Sequence, residues 1–404
     1  MLDPLIGVMI KEHTDPQGAP DSSFLRELCA AGRTFGMTVF VFTPGGIERK
    51  RPSVEGFTLD PEGHWRSRKF PLPHAVYNRC FSSSRGQYRS QAEAIRKLKR
   101  HGTVVLNIGL SGKWDVYRAL RSDPDIGPLL PETRLASGAS DVLRWFEQHD
   151  QAFLKPHSGS QGKGTVQITR SAEDQYTVKA RTDRNQEIHR TFHDSASLSA
   201  WIGRWIGTRK FLIQPNLQLR SSFGSVFDIR ALVQKSGDGR WRMTGMVVRL
   251  GAPGSATSNL HGGGSTAAAE PFLQQEYGDD AARDILSRLR RLADLVPPAV
   301  ESRFGRLCEL GLDFGIDRDG RVWLLEVNSK PGRAVFRKLG MHAERRQAVI
   351  NPLLYASYLL NHRPCPLRPA NRPKSPAVLL YVGRSGHHRR VPHEFYSMST
   401  AFHQ

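Results

Sequence analysis

The sequence predicts an α/β domain followed by a larger α+β region. Within residues 1–125, apolar runs alternate with amphipathic helical segments, the pattern of a parallel sheet flanked by helices. From about residue 140, paired apolar runs meet at tight turns such as 236–239 and Asp319-Gly320, which is typical of antiparallel hairpins. The 404 residues are enough for two or three domains.

The first unit combines buried strands with two helices. One helix is predicted over Ser22–Arg33, with Asp21 or Ser22 as its N-cap. The strand before the Pro44-Gly45-Gly46 breaker ends there, and a small excursion or a hairpin is expected in "GFTLDPEGHWRSRKF". The strands are "LIGVMI", "MTVFVF", "AVYNRC" and "TVVLNIG", and the second helix runs through "QAEAIRKLKRHG".

The second unit opens with a helix and then becomes rich in strands. Its longest segment, "DAARDILSRLRRLADLVPPAVESRFG", has leucines at helical spacing until Pro297-Pro298, where we expect the helix to be interrupted. The predicted helices are "ASDVLRWFEQH", "SLSAWIGRWIG" and "AVINPLLYASYLL". The predicted strands are "AFLKP", "TVQIT", "FLIQPNL", "FDIRALVQK", "WRMTGMVVRLG" and the hairpin around Asp319-Gly320.

These patterns divide the chain into three segments. The α/β domain covers residues 1–125 and the α+β domain residues 126–361, with subdomains at roughly 140–213 and 214–361. Residues 362–404 form a tail rich in proline and arginine, which is predicted to pack poorly and to bind an anionic partner.

Composition indicates a globular protein with a basic surface. The chain is 39% hydrophobic and 24% charged, and 58 basic against 38 acidic side chains give a net charge of +20. Such a charge attracts polyanions, although an even spread of arginine is equally consistent with a general arginine bias. No run approaches the ~20 apolar residues of a membrane span. The four scattered cysteines predict neither disulfides nor a zinc site, which fits a cytoplasmic protein.

A glycine-rich turn follows Lys155 at the end of "AFLKP". The residues from His157 to Thr165 include Gly159, Gly162 and Gly164, so backbone N–H groups there can approach phosphate oxygens closely. Lys155 would supply the positive charge. A mobile turn with no ligand is the competing interpretation, and the spacing is not that of a Walker A loop.

The last hairpin carries polar side chains inside an apolar strand. Glu326 and Asn328 share one face by alternation, and Asp313 lies on the partner strand. A buried carboxylate needs a partner, because an unpaired buried charge costs several kcal/mol, about 3–5 when one partner is removed. Hard cations such as Mg²⁺ take oxygen ligands of this kind. A salt bridge to one of the many arginines is the alternative.

Other charged residues alternate with apolar ones along two further strands. Asp228 and Arg230 do so in "FDIRALV", and Arg249 ends "MVVRLG". Taken alone, this alternation is typical of a strand with one solvated face.

The order of these motifs resembles the ATP-grasp enzymes, and more closely the YheC/YheD family, described as endospore coat-associated. The likeness covers about residues 110–335 and follows Lys113, "FLKP" with its glycine-rich loop, "QPNL", "FDIRALV", "VVRLGAPGSATSNLHGGG" and "GLDFGID…WLLEVNSKPG". It implies a pre-ATP-grasp α/β domain followed by a two-subdomain ATP-grasp fold.

The resemblance also implies roles for individual residues. ATP would be the cofactor, with Mg²⁺ or in its place Mn²⁺. The "QPNL" segment departs from many relatives, because they carry an acidic residue where this segment has none. The implied sites are the phosphate lysines Lys113 and Lys155; the flap residues Ser158, Gly159, Ser160, Gly162 and Gly164; the adenine hinge Gln214, Pro215, Asn216 and Leu217; the catalytic Arg230, Arg249 and Asn259; and the metal ligands Asp313, Glu326 and Asn328.

By this resemblance the protein is an ATP- and Mg²⁺-dependent ligase. It would activate a carboxylate of a small molecule or peptide as an acyl phosphate, which an amine or thiol then attacks. Two alternatives stay open: a non-catalytic ATP-binding protein of the spore coat, and a nucleic-acid-binding protein. The second is disfavoured because no nucleic-acid-reading motif is present. We expect the protein in the cytoplasm or the spore, with coat components as further partners.

Overall fold

The computed structural model describes residues 3–11, 22–48, 50–81, 84–159, 162–252, 258 and 263–362. Within these ranges the chain forms three sheets, each with its own helices and apolar core. None of the helices described is both long enough and apolar enough to cross a membrane. Cys29, Cys80 and Cys308 are buried, and among the described residues none of the three is part of a disulfide.

The first sheet is mixed, with strand order β4-β3-β2-β1-β5-β6. Its four core strands are parallel and rich in valine, isoleucine and phenylalanine, because both faces are covered by helices. The predicted hairpin adds the antiparallel edge. The elements are β1 (Leu5–Met9), α1 (Ser23–Thr34), β2 (Thr38–Phe42), β3 (Ser53–Leu59), β4 (Trp65–Pro71), β5 (Ala75–Asn78), α2 (Arg85–Arg100) and β6 (Val104–Val105).

The second sheet is antiparallel throughout, in the order β11-β10-β9-β8-β12-β7. Two helices cover one face through Trp145, Leu198 and Ile202. A separate helix, α3, precedes the sheet in sequence. The elements are α3 (Lys113–Arg121), β7 (Arg134–Ala136), α4 (Ala139–Trp145), β8 (Gln151–Pro156), β9 (Val166–Arg170), β10 (Tyr176–Arg181), β11 (Glu187–Phe192), α5 (Ser195–Ile206) and β12 (Phe211–Gln214).

The third sheet is also antiparallel, in the order β15-β14-β13-β16-β17. The largest core lies between this sheet and α6, α7 and α3. The elements are β13 (Phe227–Lys235), β14 (Trp241–Leu250), β15 (Ser265–Ala268), α6 (Ala269–Tyr277), α7 (Asp279–Phe304), β16 (Glu309–Ile316), β17 (Val322–Asn328), α8 (Ala334–Lys338) and α9 (His342–Asn361).

The long helix α7 corrects one expectation, because it continues through Pro297 and Pro298 to Phe304. Each interior proline costs a helix about 3 kcal/mol or more. The apolar face before and after the prolines is buried, as Leu292, Val296 and Val300 show, and each such side chain returns about 1.5–3 kcal/mol. Burial against the sheet therefore outweighs the two missing hydrogen bonds.

The last helix returns to the start of the chain. Val349, Leu353 and Ala356 of α9 join the core formed by α1 and one face of the first sheet. The α/β and α+β architecture predicted from sequence is confirmed, whereas the division at residue 125 stays a prediction.

A buried ionic cluster connects the first and third sheets. The carboxylate of Glu309, at the start of β16, is fully buried and pairs with the guanidinium groups of Arg79 and Arg333. Tyr77 donates its hydroxyl hydrogen to Glu309 Oε1 at 2.7 Å, and Gln234 Nε2 donates to Oε2 at 3.3 Å. Burial alone would raise the pKa of Glu309, but the two arginines hold it below its usual value.

Candidate functional site

A cleft of about 630 Å³ opens between the second and third sheets. Strand β8 and the segment after β12 line one wall, and β13, β14, β16 and β17 line the other. We call it the cleft. A concave site of this size with a few polar groups is typical of small-molecule binding.

Two lysines meet at the inner end of the cleft. Lys155, near the end of β8, is buried and donates from Nζ to the carbonyl oxygen of Leu325 at 3.1 Å. Burial lowers the pKa of Lys155 to about 8, partly offset by the nearby Glu326. Lys113, the first residue of α3, places its Nζ 3.7 Å from Glu326 Oε2. Both predicted phosphate lysines therefore lie beside the same carboxylate.

The glycine-rich turn joins β8 to β9 as predicted. Gly159, Gly162 and Gly164 have φ of 153°, 67° and 73°, the region that favours glycine. Gly162 lines the cleft together with Thr165, whose hydroxyl donates to the Gly162 carbonyl at 2.8 Å.

The other predicted residues of this loop do not line the cleft or lie outside the described residues. Among the described residues, Ser158, Gly159 and Gly164 lie in the turn but are not part of the cleft wall. Ser160 lies outside the described residues, and so does Asn259.

The predicted hinge, Gln214 to Leu217, lines the cleft along its whole length. Gln214 is buried and donates to Thr133 Oγ1 at 2.8 Å, while Asn216 donates to Gln151 Oε1 at 3.1 Å. These side chains are held by neutral partners, consistent with a segment that lacks an acidic residue.

Beside the hinge lies a small apolar recess that the sequence did not indicate. It shares Lys113, Lys155 and Gln214 with the cleft. Its apolar walls come from α3, the 130–131 segment, β12 and β17. They are Val116, Tyr117, Leu120, Leu130, Pro131, Leu212, Leu324 and Val327.

The predicted acidic residues meet across the third sheet. Asp313 on β16 is the register partner of Glu326 on β17, and Asn328 donates from Nδ2 to Asp313 Oδ2 at 3.3 Å. A bulge leaves Leu325 without a register partner on β16. All three polar residues line the cleft, so the shared face expected from alternation is present.

The predicted catalytic arginines lie on the same sheet, paired with carboxylates. Arg230 is opposite Asp313 and binds it through two nitrogens, one of them 2.7 Å from Oδ2. Arg249 binds Asp228 at 2.6 Å through Nε, and its Nη2 lies 3.1 Å from Asp313 Oδ2. Ser258 also donates to Asp228.

The pKa values of Asp228 and Asp313 are shifted in opposite directions. Burial raises the pKa of Asp228, and Arg249 opposes that shift without cancelling it. Burial also acts on Asp313, but Arg230 and Arg249 together hold its pKa below the usual value. Asp313 is therefore an anion between two guanidinium groups.

These contacts bear on both interpretations of the hairpin, the arginine salt bridge and the magnesium site. The arginine salt bridge is present at Asp313, whereas the cation beside Glu326 is a lysine on the cleft wall. Among the described residues no three His, Cys, Asp or Glu side chains form a metal-binding group. Two carboxylates and one amide still fit Mg²⁺, which usually takes one or two carboxylates plus substrate phosphates.

The position of Lys113 depends on a close contact at Gly112. A Cβ on Gly112 would lie 1.9 Å from Cε1 of His157, and the backbone N–H of Lys113 donates to the His157 carbonyl at 3.3 Å. We expect Gly112→Ala to displace α3 from β8, to cost about 1–3 kcal/mol of stability, and to weaken nucleotide binding. Urea denaturation and calorimetry measure both effects.

Gly138→Ala is the matched control, since Gly138 also precedes a helix and a Cβ there meets nothing within 4 Å. It should be close to neutral. Equal effects of the two substitutions would contradict the importance of the contact at Gly112.

The family of the chain follows from comparison with known proteins. Residues 102–359 match the model of the YheC/D-like ATP-grasp family. The chain belongs to this family. The resemblance proposed from sequence is therefore confirmed, and with it the ATP-grasp fold.

Two relatives come from Bacillus subtilis (strain 168). The chain is 28% identical over 364 residues to endospore coat-associated protein YheD, covering 89% of this chain and 79% of YheD. It is 25% identical over 345 residues to endospore coat-associated protein YheC, covering 85% and 94%. Among solved structures, D-cycloserine synthetase DcsG superposes with a TM-score of 0.48 at 13% identity, covering 86% of this chain and 99% of DcsG.

Proposed function

We propose that this member of the YheC/D-like ATP-grasp family is an ATP-dependent ligase. It would activate a carboxylate as an acyl phosphate for attack by an amine or thiol. The observation that carries the proposal is the convergence of Lys113, Lys155, Asp313, Glu326 and Asn328 from four elements on one cleft.

Each part of the cleft has a task in this reaction. Lys155 and Lys113 bind the phosphates, and the glycine-rich turn covers them with backbone N–H groups. The hinge from Gln214 to Leu217, which lines the cleft, would face the adenine ring. Asp313, Glu326 and Asn328 would hold Mg²⁺, which when bound neutralises charge on the phosphates. Mn²⁺ would be accepted by the same oxygen ligands.

The chain aligns the reactants rather than supplying a nucleophile. A substrate carboxylate oxygen attacks the γ-phosphorus and ADP leaves; the amine or thiol then attacks the acyl carbon and phosphate leaves. Catalysis by this route depends on positioning and on fixed positive charge. Exclusion of water from the occupied cleft would protect the acyl phosphate.

The test is phosphate release from Mg-ATP with a panel of carboxylates, amines and thiols, followed by mass spectrometry of the products. A ligase releases phosphate only when both substrates are present, and a new amide or thioester mass appears. Tight ATP binding with no stimulation by any pair would instead favour a non-catalytic nucleotide-binding protein of the spore coat.

Substitution of Arg249 should affect turnover without affecting ATP binding. Its guanidinium group is shared between Asp228 and Asp313. Arg249→Lys keeps the charge but loses the fork that orients it. We expect turnover to fall about 100-fold, with ATP affinity nearly unchanged.

Arg240→Lys, at an exposed position in the β13–β14 turn, is the control and should have full activity. Steady-state kinetics and ATP titration measure both variants. An Arg249→Lys enzyme with normal turnover would exclude Arg249 from the reaction.

The setting of the reaction is proposed from the relatives. Both Bacillus proteins are named endospore coat-associated, and we propose spore association for this chain, with synthesis in the cytoplasm. Immunoblots of purified spore-coat extracts test the assignment; detection only in vegetative cytosol would contradict it. The basic tail, beyond the described residues, stays a predicted contact for coat components or another anionic partner.

A further inference from the structure

Part of the cleft wall comes from elements other than those that carry the two phosphate lysines. Phe81, which follows β5, belongs to this part together with Lys330, Val335 and Lys338. We call these four residues the distal end. Phe81 is 53% exposed, so an apolar ring faces the open cleft between positively charged side chains.

The carboxylates of the cleft are all committed elsewhere. Asp228 pairs with Arg249, and Asp313 with Arg230. Glu326 lies beside Lys113. The distal end therefore receives no negative charge from the cleft wall.

Within the described ranges the direct contacts of Lys330 are with neutral groups, while the charges of Arg79 and Glu309 act on it without an ion pair. Its ammonium group donates to the carbonyl oxygen of Cys80 and lies 6.0 Å from the centroid of the Phe81 ring. No carboxylate of the described ranges forms an ion pair with Lys330 or Lys338. The nearby buried Glu309 is already bound by Arg79 and Arg333.

The backbone that carries Lys330 is held in place. Arg79 and Arg333 donate to the Pro331 carbonyl at 3.1 and 3.3 Å. Asn107 Nδ2 donates to the Ser329 carbonyl at 2.5 Å, and the Leu110 N–H donates to Ser329 Oγ at 3.2 Å. The lysine is thus presented on a fixed loop, and orienting a charge in advance reduces the entropy cost of binding its partner.

We propose that the distal end binds a carboxylate of the acid substrate, one that the reaction does not consume, with Lys330 as its counter-ion. The substrate class is a carboxylic acid that carries one more carboxylate than the reaction consumes. Lys338, exposed at the rim, adds long-range attraction, and Phe81 packs against the apolar part of the molecule. This inference rests on the proposed function, because it takes the part of the cleft beside Lys113 and Lys155 as the nucleotide site.

The test uses pairs of probes that differ in one charge: aspartate against asparagine, and glutamate against glutamine. Each is titrated by calorimetry into protein saturated with Mg²⁺ and a non-hydrolysable ATP analogue. We expect at least one acid to bind about tenfold or more tightly than its amide. Lys330→Met should remove that preference, and Lys330→Arg should retain most of it. Lys99→Met, which removes an exposed lysine from the last turn of α2, should leave it unchanged.

The outcomes separate this inference from the proposed function. Amides that bind as tightly as acids, absence of binding by all four probes, or a preference that survives in Lys330→Met would each overturn the inference. None of these results concerns the nucleotide site, which is measured independently by titration of the ATP analogue alone. Loss of nucleotide binding in the wild type would instead overturn the proposed function.

Discussion

Glu326→Gln is expected to lower Mg²⁺-dependent ATP turnover by about 100-fold or more, since electrostatic groups aimed at a reacting phosphate typically contribute that much. Glutamine has the shape of glutamate but lacks the charge that a hard cation prefers. Glu326 is the carboxylate of the cleft that has no arginine partner and lies within 3.7 Å of Lys113. Loss of its charge would therefore affect the proposed metal site and the proposed phosphate lysine together.

The folded state should tolerate this change, because Glu326 is only half-buried. Thermal unfolding checks that expectation, and raising the Mg²⁺ concentration should restore part of the activity. Glu270→Gln, in the exposed first turn of α6, is the matched control. If Glu326→Gln kept turnover within about threefold of the wild type, Glu326 would not be a metal ligand that contributes about 100-fold to turnover.

Glu309→Gln is expected to have the largest effect on stability. Removing one partner of a buried ion pair costs about 3–5 kcal/mol, because the remaining charges are left without compensation. Here two guanidinium groups would remain around a neutral amide, at the junction of β5, β16 and the loop that carries Lys330. Urea denaturation of both proteins measures the difference.

The matched control is Glu132→Gln, whose exposed ion pair with Arg134 should contribute no more than about 1 kcal/mol. If the two substitutions had equal effects, the buried cluster would not be a major source of stability.

The stability difference at Glu309 should depend on pH in one direction. The arginines hold the folded-state pKa of Glu309 below its usual value of 4.5, so its contribution is fully present above 4.5 and is lost as pH falls through the folded-state value. The gap between wild type and Glu309→Gln should be constant from pH 7 to about 5 and shrink below that. A gap that widened on acidification would contradict the assigned charge state.

Sequence reasoning was most successful where the signal was local. Continuous apolar runs predicted β1 and β2, and alternation placed Glu326 and Asn328 on one face. The Asp319-Gly320 turn joins β16 to β17, with Gly320 at a φ of 73°.

Features that depend on distant contacts were not predictable in this way. The end of α7 was predicted wrongly because proline was weighed without the sheet that buries the helix. Helix α3 and the β10–β11 hairpin were also missed: α3 has only nine residues, and β11 is largely exposed.

The pairing of charges within the site also required tertiary structure. Arg249 and Asp228 are 21 residues apart and Arg230 and Asp313 are 83 apart, and only the strand register sets them opposite each other. The cluster around Glu309 joins residues more than 200 positions apart. In the sequence, Glu309 is one acidic residue among many.

Calorimetric titration of a non-hydrolysable ATP analogue, with and without Mg²⁺, tests the central claim most directly. We expect binding with a dissociation constant below about 1 mM that depends on Mg²⁺. It should weaken strongly in Lys155→Met but not in Lys179→Met, a lysine of β10 outside the cleft wall. Absence of binding by the wild type, or equal binding by Lys155→Met, would contradict the assignment of this cleft as the nucleotide site.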